Sequence, residues 1–339
     1  MDKINIGIRS IGSYVPAGIR DSAYISEKSG IPENVIREKF GIKQVHKADS
    51  DESVSDMGAK AALNALGDLT PEDIDLVVYC GSEYKDYYMF NCAARIKELI
   101  GAKNAISFEI HNLCSAGVYS LKILKAMMIQ DKTLEKVLVV SSSKEGDLIN
   151  YADTDSRFMF NFGDGAAAVV LERGLNRNVI LESYMIVDGQ FATDVSVPGI
   201  GCINRENFAS ISHEDSFLRV RDLADMKERL DPITLDNFFA VMDGAIERSG
   251  YKNEDVNYVA PICMKKSMLI GLLDHFGLTE ENSFLLEDYG HCQSADCFLS
   301  LEEGLKSGRL HDGDLVVAIA AGTGYTWAAT CIKWGPYNE

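Results

Sequence analysis

Three strand-like segments of this chain recur in the same order further along it, and that recurrence constrains the fold more than any other feature. PEDIDLVVYCGS at 71–82 resembles NEDVNYVAPICM at 253–264, an offset of 182. KVLVVSSS pairs with GDLVVAIAA, placing Leu138 opposite Leu315, an offset of 177. GDGAAAVVLERG at 163–174 pairs with GYTWAATCIKWG at 324–335. Three matches in register predict two similar halves, residues 1–174 and 175–339. The recurring segments are short, apolar and β-branched, and between them lie helical stretches such as AGVYSLKILKAMMIQ at 116–130 and DCFLSLEEGLKSG at 296–308. Nearly continuous apolar strands alternating with helices predict an α/β fold with buried sheets.

Charge narrows the function classes. Lys and Arg total 33 against 51 Asp and Glu, a formal net charge of −18. A phosphate backbone needs clustered cations, so a nucleic-acid partner is not expected. The opening MDKINIGIRSIGSYVP reads as a strand rather than a leader peptide, and no apolar run reaches the roughly 18 residues of a membrane span. The expected setting is therefore the cytoplasm, without a membrane partner. The eight cysteines form no CxxC pair, so no metal site is expected, and a reducing compartment leaves them as free thiols.

The repeat draws attention to one of the eight. Cys114 displaced by the offset of 177 is His291, and each sits in a short turn between a strand pattern and a helical one. If the halves pack about a pseudo-twofold axis, the two side chains converge. A cysteine at a helix N-terminus has its thiolate favoured by the helix's positive end, and the free N–H groups there can hold an oxyanion. A histidine facing it serves as base or as donor to a carbonyl. That is the pattern of acyl transfer through a thioester. His111, three residues before Cys114, reads as structural.

The residues that carry this pattern also carry a resemblance. NAISFEIHNLCSAG around Cys114, FNFGDGAAAVVLE at 160–172, LEDYGHCQSAD at 286–296 and AGTGYTWAATCIKWG at 321–335 resemble the β-ketoacyl-acyl-carrier-protein synthase III family of the thiolase superfamily, almost end to end. The resemblance implies a layered αβαβα fold of two duplicated halves, a homodimer, and an acyl group carried on a cysteine before condensation with a malonyl thioester. It implies no bound cofactor, only acyl thioesters on the phosphopantetheine of an acyl carrier protein or coenzyme A. By the same likeness Cys114 matches the nucleophile and His291 the second active-site position, while Cys263 stands where the family has its first active-site histidine. The turn of Gly322, Thr323 and Gly324 completes the oxyanion hole with Cys114. Met89 and Phe90 fall in the segment that lines the substrate channel across the dimer. Val35 and Lys39 replace an aromatic and an arginine that hold coenzyme A, so a carrier protein docking on Lys39, Lys265 and Lys266 is the expected partner. The thiol of Cys263 is a weak donor. Besides decarboxylating condensation, two further outcomes therefore stay open: acyl transfer to an alcohol or amine, and a weakly active partner subunit of a synthase.

Overall fold

A computed structural model describes residues 4–203 and 210–337. Strand β1 (Ile6–Tyr14) opens the chain, followed by a ribbon of β2 (Gly18–Asp21) and β3 (Gln44–Lys47) that flanks helix α1 (Ser22–Ser29) and the short turn α2 (Glu33–Val35). Then come α3 (Val54–Leu66), β4 (Leu76–Gly81), α4 (Cys92–Ile100), β5 (Ile106–His111), α5 (Ala116–Gln130), β6 (Lys136–Ser143) and β7 (Gly165–Arg173). The second part holds β8 (Arg177–Val187), a small ribbon of β9 (Val195–Ser196) and β10 (Arg219–Val220), α6 (Leu223–Arg248), β11 (Val256–Pro261), α7 (Lys266–Asp274), α8 (Asp296–Lys306), β12 (Leu315–Gly322) and β13 (Thr326–Pro336).

The duplication is written in the hydrogen-bonding pattern. Nine strands run in the order β11-β12-β13-β8-β1-β7-β6-β4-β5. From β1 outward the pairings are antiparallel to β7, antiparallel to β6 and parallel to β4. From β8 outward they are antiparallel to β13, antiparallel to β12 and parallel to β11, the same series. The two series meet where Gly7 of β1 faces Val179 of β8. The first adds β5 at its edge, and the second adds only a bridge from Val259 to Ser283.

Period-two alternation assembles five layers. Leu76, Val78 and Cys80 of β4 face inward with α5 and α8, whereas Val77 and Tyr79 face outward under α3 and α4. On the other side Val316, Ala318 and Ala320 of β12 face inward, while Leu315, Val317 and Ile319 lie against α6 and α7. Strands covered on both faces must be apolar at every position, which explains their unbroken runs. Burying each such side chain contributes about 1.5–3 kcal/mol. The middle layer brings the start of α5 against the turn before α8. A Cβ on Gly117 would lie 2.3 Å from the Ser294 carbonyl oxygen, so only glycine admits this approach. Among the described residues no helix is long and apolar enough to cross a membrane.

Candidate active site

Cys114 lies in a 3₁₀ turn, Leu113–Ser115, that runs directly into α5. Leu113 has φ +49°, a strained setting for a branched side chain that turns the backbone sharply after β5. Ser115 Oγ donates to the Asn112 carbonyl at 2.9 Å and accepts from Asn112 Nδ2 at 3.0 Å, which ties the turn together. The thiol therefore sits, 5% exposed, at the positive end of a fifteen-residue helix.

His291 Nε2 is 3.1 Å from Cys114 Sγ. Its Nδ1 is 2.5 Å from Asp296 Oδ2. A carboxylate only accepts, so Nδ1 carries a hydrogen toward Asp296, and Nε2 faces Cys114 Sγ. Asp296 is the first residue of α8 and fully buried. Its Oδ1 accepts from the Cys292 N–H and its Oδ2 from the Cys263 N–H, both at 2.7 Å. The imidazole is held by its own backbone as well: His291 N–H donates to the Asn161 carbonyl at 2.6 Å, and Phe162 packs edge-on at 4.8 Å. Burial alone would lower the His291 pKa; the charges of Asp296 and Cys114 outweigh it and hold the imidazole well above its ordinary value. A thiol, an imidazole and a carboxylate in line form a nucleophile, a base and the group that orients the base.

The convergence of Cys114 and His291 arises from a register different from the expected one. The 3₁₀ turns Leu113–Ser115 and Gln293–Ala295 both begin on a non-glycine residue with positive φ, and each runs straight into a central helix. Those turns are 180 residues apart (113 to 293) rather than 177. On this register Ser294 corresponds to Cys114, and His291 to His111. Because the second turn packs against Gly117 at the start of α5, a residue three positions before that turn's centre still reaches the thiol. His111 itself is bonded to Glu109 at 2.8 Å and to Glu83 at 3.2 Å.

A cavity of about 570 Å³ leads to this pair. Cys114, His291, Cys263, Asn161, Thr323 and Tyr325 all line it, and Phe158, Leu230, Phe238 and Met268 make it largely apolar. Burial pushes the Cys263 thiol up, so it stays protonated. Its backbone N–H serves Asp296, and its Sγ is 3.7 Å from Asn161 Nδ2. Gly322 packs where a Cβ would come within 3.3 Å of Cys114 N, so the turn after β12 does lie over the nucleophile's N–H. Gly324 takes φ +110° in that turn and is not part of the cavity wall.

Other expected residues fall away from the cavity. Met89 is 95% exposed, and neither it nor Phe90 lines the cavity of its own chain. Phe90 instead packs with Tyr87 and the α3–α4 layer. Lys265 is exposed on the rim, but Lys266 is tied to Glu280 at 2.8 Å and Glu287 at 3.8 Å. Lys39 is exposed one residue before Phe40, which does line the cavity. Arg157 and Lys227 join Lys265 on the rim, exposed and with no carboxylate within ion-pair distance among the described residues. Sequence reasoning passed over both, as it did Asp296 and Asn161. Asp296 had one signal, a carboxylate opening a helical pattern five residues after His291. Asn161 had another, an amide between two phenylalanines. The two rim cations had none, because a solvated lysine or arginine looks alike anywhere.

The chain is similar to known proteins over most of its length. Residues 108–189 match the family model of 3-oxoacyl-acyl-carrier-protein (ACP) synthase III, and residues 246–334 match that of its C terminal, together just over half of the chain. A β-ketoacyl-acyl-carrier-protein synthase III from Sulfurovum sp. is 29% identical over 331 residues, covering 96% of this chain and 95% of that protein. Among solved structures, 3-oxoacyl-acyl-carrier-protein synthase III from Aquifex aeolicus has a TM-score of 0.83 at 23% identity, covering 97% of this chain and 100% of that one. The priming β-ketosynthase of the R1128 polyketide biosynthetic pathway has a TM-score of 0.85 at 22% identity, covering 98% and 97%.

Proposed function

Because the chain belongs to the β-ketoacyl-acyl-carrier-protein synthase III family of the thiolase superfamily, we propose that it loads an acyl group onto Cys114 and condenses it with a malonyl thioester. The observation that carries this reading is the 3.1 Å contact between Cys114 Sγ and His291 Nε2 at the end of an apolar cavity. His291 holds the proton of the Cys114–His291 pair as Sγ attacks the incoming thioester, whose C–S bond breaks with its electron pair on the carrier's sulfur. The Cys114 N–H, beneath Gly322, stabilises the oxyanion. In the second half-reaction the protonated imidazole donates a hydrogen bond to the extender's carbonyl as carbon dioxide leaves; the enolate carbon then bonds to the acyl carbon, and the C–S bond breaks with its electron pair on Cys114 Sγ. Residues 1–174 form the half that brings the nucleophile, and 175–339 the half that brings His291 and Asp296, divided at the Gly174 turn (φ +77°). The edge strand β5, with Ile106 61% exposed, and the exposed segment of Tyr87, Tyr88 and Met89 are where a second copy pairs to form a homodimer. The eight unpaired cysteines suit a reducing cytoplasm.

A second reading has its own observation. His291 is oriented by Asp296 as a base, and Cys263 supplies only a weak thiol donor in place of a second imidazole. Acyl transfer to an alcohol or amine needs that base and no second donor. The deciding test preloads the enzyme with an acyl thioester and adds a malonyl thioester. Carbon dioxide release with chain extension supports condensation. Transfer to an alcohol or amine without it supports the second reading, and neither outcome overturns both.

An acidic carrier protein must be met by local cations on a chain of net charge −18. Arg157, Lys227 and Lys265 ring the cavity mouth, with Lys39 nearby. Reversing the first three to glutamate is expected to raise KM for a carrier-bound acyl group about tenfold or more, with little change in kcat. The effect should shrink at 0.5 M salt, because screening weakens exposed charges. The matching N-acetylcysteamine thioester, which has no carrier surface, should show no such rise; an equal rise would contradict the docking role.

A further inference from the structure

Tyr325 brings an unpartnered hydroxyl into the cavity wall. The residue lies in the turn between β12 and β13 and lines the cavity together with Cys114, His291 and Cys263. Both strands pack against Leu113–Ser115, the turn that carries Cys114, and Gly322 reaches over the Cys114 N–H. Tyr325 is pinned there. Its N–H donates to the Asp188 carbonyl at 3.2 Å, and its carbonyl accepts from the Asp188 N–H at 3.0 Å. Its ring centroid lies 5.4 Å from Phe191, edge-on, and 5.7 Å from Trp327. The residue is only partly buried, and among the described residues its hydroxyl is neither hydrogen-bonded nor sealed from solvent. A pinned ring holds its hydroxyl in one direction before substrate arrives, and a donor fixed in advance stabilises developing charge without reorganisation.

The hydroxyl also keeps its hydrogen. Burial first, and then the charges of Cys114, Asp194 and Asp231, hold the phenol well above its ordinary range, so it stays protonated at neutral pH. Asp194 is engaged by Arg221 and Arg229, which leaves the phenol hydrogen for a bound molecule. Decarboxylating a malonyl thioester moves an electron pair onto its carbonyl oxygen. His291 gives that oxygen one donor, and the Cys263 thiol is a weak second. We infer that Tyr325 is a further catalytic residue, its hydroxyl donating to the extender's thioester carbonyl beside His291 and supplying the second donor that Cys263 does not. The inference rests on the proposed condensation. As the bond to the carboxylate breaks, its electron pair passes into the enolate, carbon dioxide leaves, and the enolate oxygen accepts from both groups. The pair then forms the bond from the enolate carbon to the acyl carbon, and the C–S bond breaks onto Cys114 Sγ. Tyr325 keeps its proton throughout, so no further reactant is needed.

The test loads Cys114 from an acyl N-acetylcysteamine thioester and then adds malonyl N-acetylcysteamine, with loading followed by mass and decarboxylation by carbon dioxide release. Tyr325→Phe removes one oxygen and keeps the ring. Loading is expected to stay within about twofold of wild type while decarboxylation slows by about 10²-fold. Difluorotyrosine in place of Tyr325, with a phenol that ionises at lower pH, gives a second reading if Tyr325→Phe does not fold. Because a phenolate cannot donate, decarboxylation should gain an alkaline limb that the unaltered chain lacks, and loading should not. Decarboxylation unchanged in Tyr325→Phe, loading slowed as much as decarboxylation, or no new alkaline limb would overturn the inference alone, provided that wild type turns over. A wild type that never loads Cys114, or that loads and releases no carbon dioxide, would overturn the proposed function and this inference with it.

Discussion

Cys114→Ala is expected to lose the covalent acyl-enzyme completely and to lower turnover on the order of 10⁴-fold or more. No other cysteine shares its setting, and exposed Cys202 does not line the cavity. Cys80, Cys92, Cys292, Cys297 and Cys331 are buried in packed layers, where desolvation raises their thiol pKa values. Cys263 lines the same cavity, but its thiol is pushed up and, among the described residues, no base lies within hydrogen-bond distance of its sulfur. Only Cys114 combines a helix N-terminus with an imidazole at 3.1 Å. Single-turnover assays with a radiolabelled acyl thioester measure this directly. Residual label on a second cysteine would show that the helix-terminal position is not what selects the nucleophile.

The second large effect belongs to the base and the group that orients it. His291→Ala is expected to lower acyl transfer by about 10³–10⁴-fold, and Asp296→Asn by about 10²–10³-fold. The double variant should be scarcely worse than His291→Ala alone, because the carboxylate acts through the imidazole. Asp296→Asn also removes the principal charge that holds the His291 pKa up, so the imidazole's titration, followed by NMR, should move to lower pH. A purely structural role for Asp296 would slow the reaction without moving that titration. The sign of the stability effect follows. With the folded-state pKa raised, the interaction stabilises the fold fully below His's ordinary pKa and is lost as pH rises through the raised value. Thermal melts of the wild type and Asp296→Asn should therefore differ most in acid and draw together in alkali.

Much of this architecture was legible because strands buried on both faces leave a strong mark. Within these strands the stretches at 76–80, 137–140, 258–260 and 315–321 are apolar throughout, and their recurrence revealed the duplication. The register was harder. A repeat matched on strands alone slides by a few residues, and the offset of 177 led to the histidine that meets Cys114 through a correspondence the turns do not follow. What fixes that register is backbone geometry: the positive φ at Leu113 and Gln293, residues with no sequence mark of an unusual conformation. Asp296 and Asn161 were hidden for another reason. Their importance comes from what three separate segments place around them. The Cys263 and Cys292 N–H groups converge on Asp296, and nothing local to either residue announces that. The carrier surface was the least legible part. Lys266 looked equivalent to Lys265, and only the fold shows one paired with Glu280 and the other on the cavity rim without an ion pair among the described residues.

The central claim is that an acyl group rides on Cys114, and peptide mapping by mass spectrometry after incubation with an acyl N-acetylcysteamine thioester tests it most directly. The expected result is one added acyl mass per chain, confined to the peptide that contains Cys114 and absent from Cys114→Ala. An adduct on another residue, or none under conditions where the protein remains folded, would contradict it.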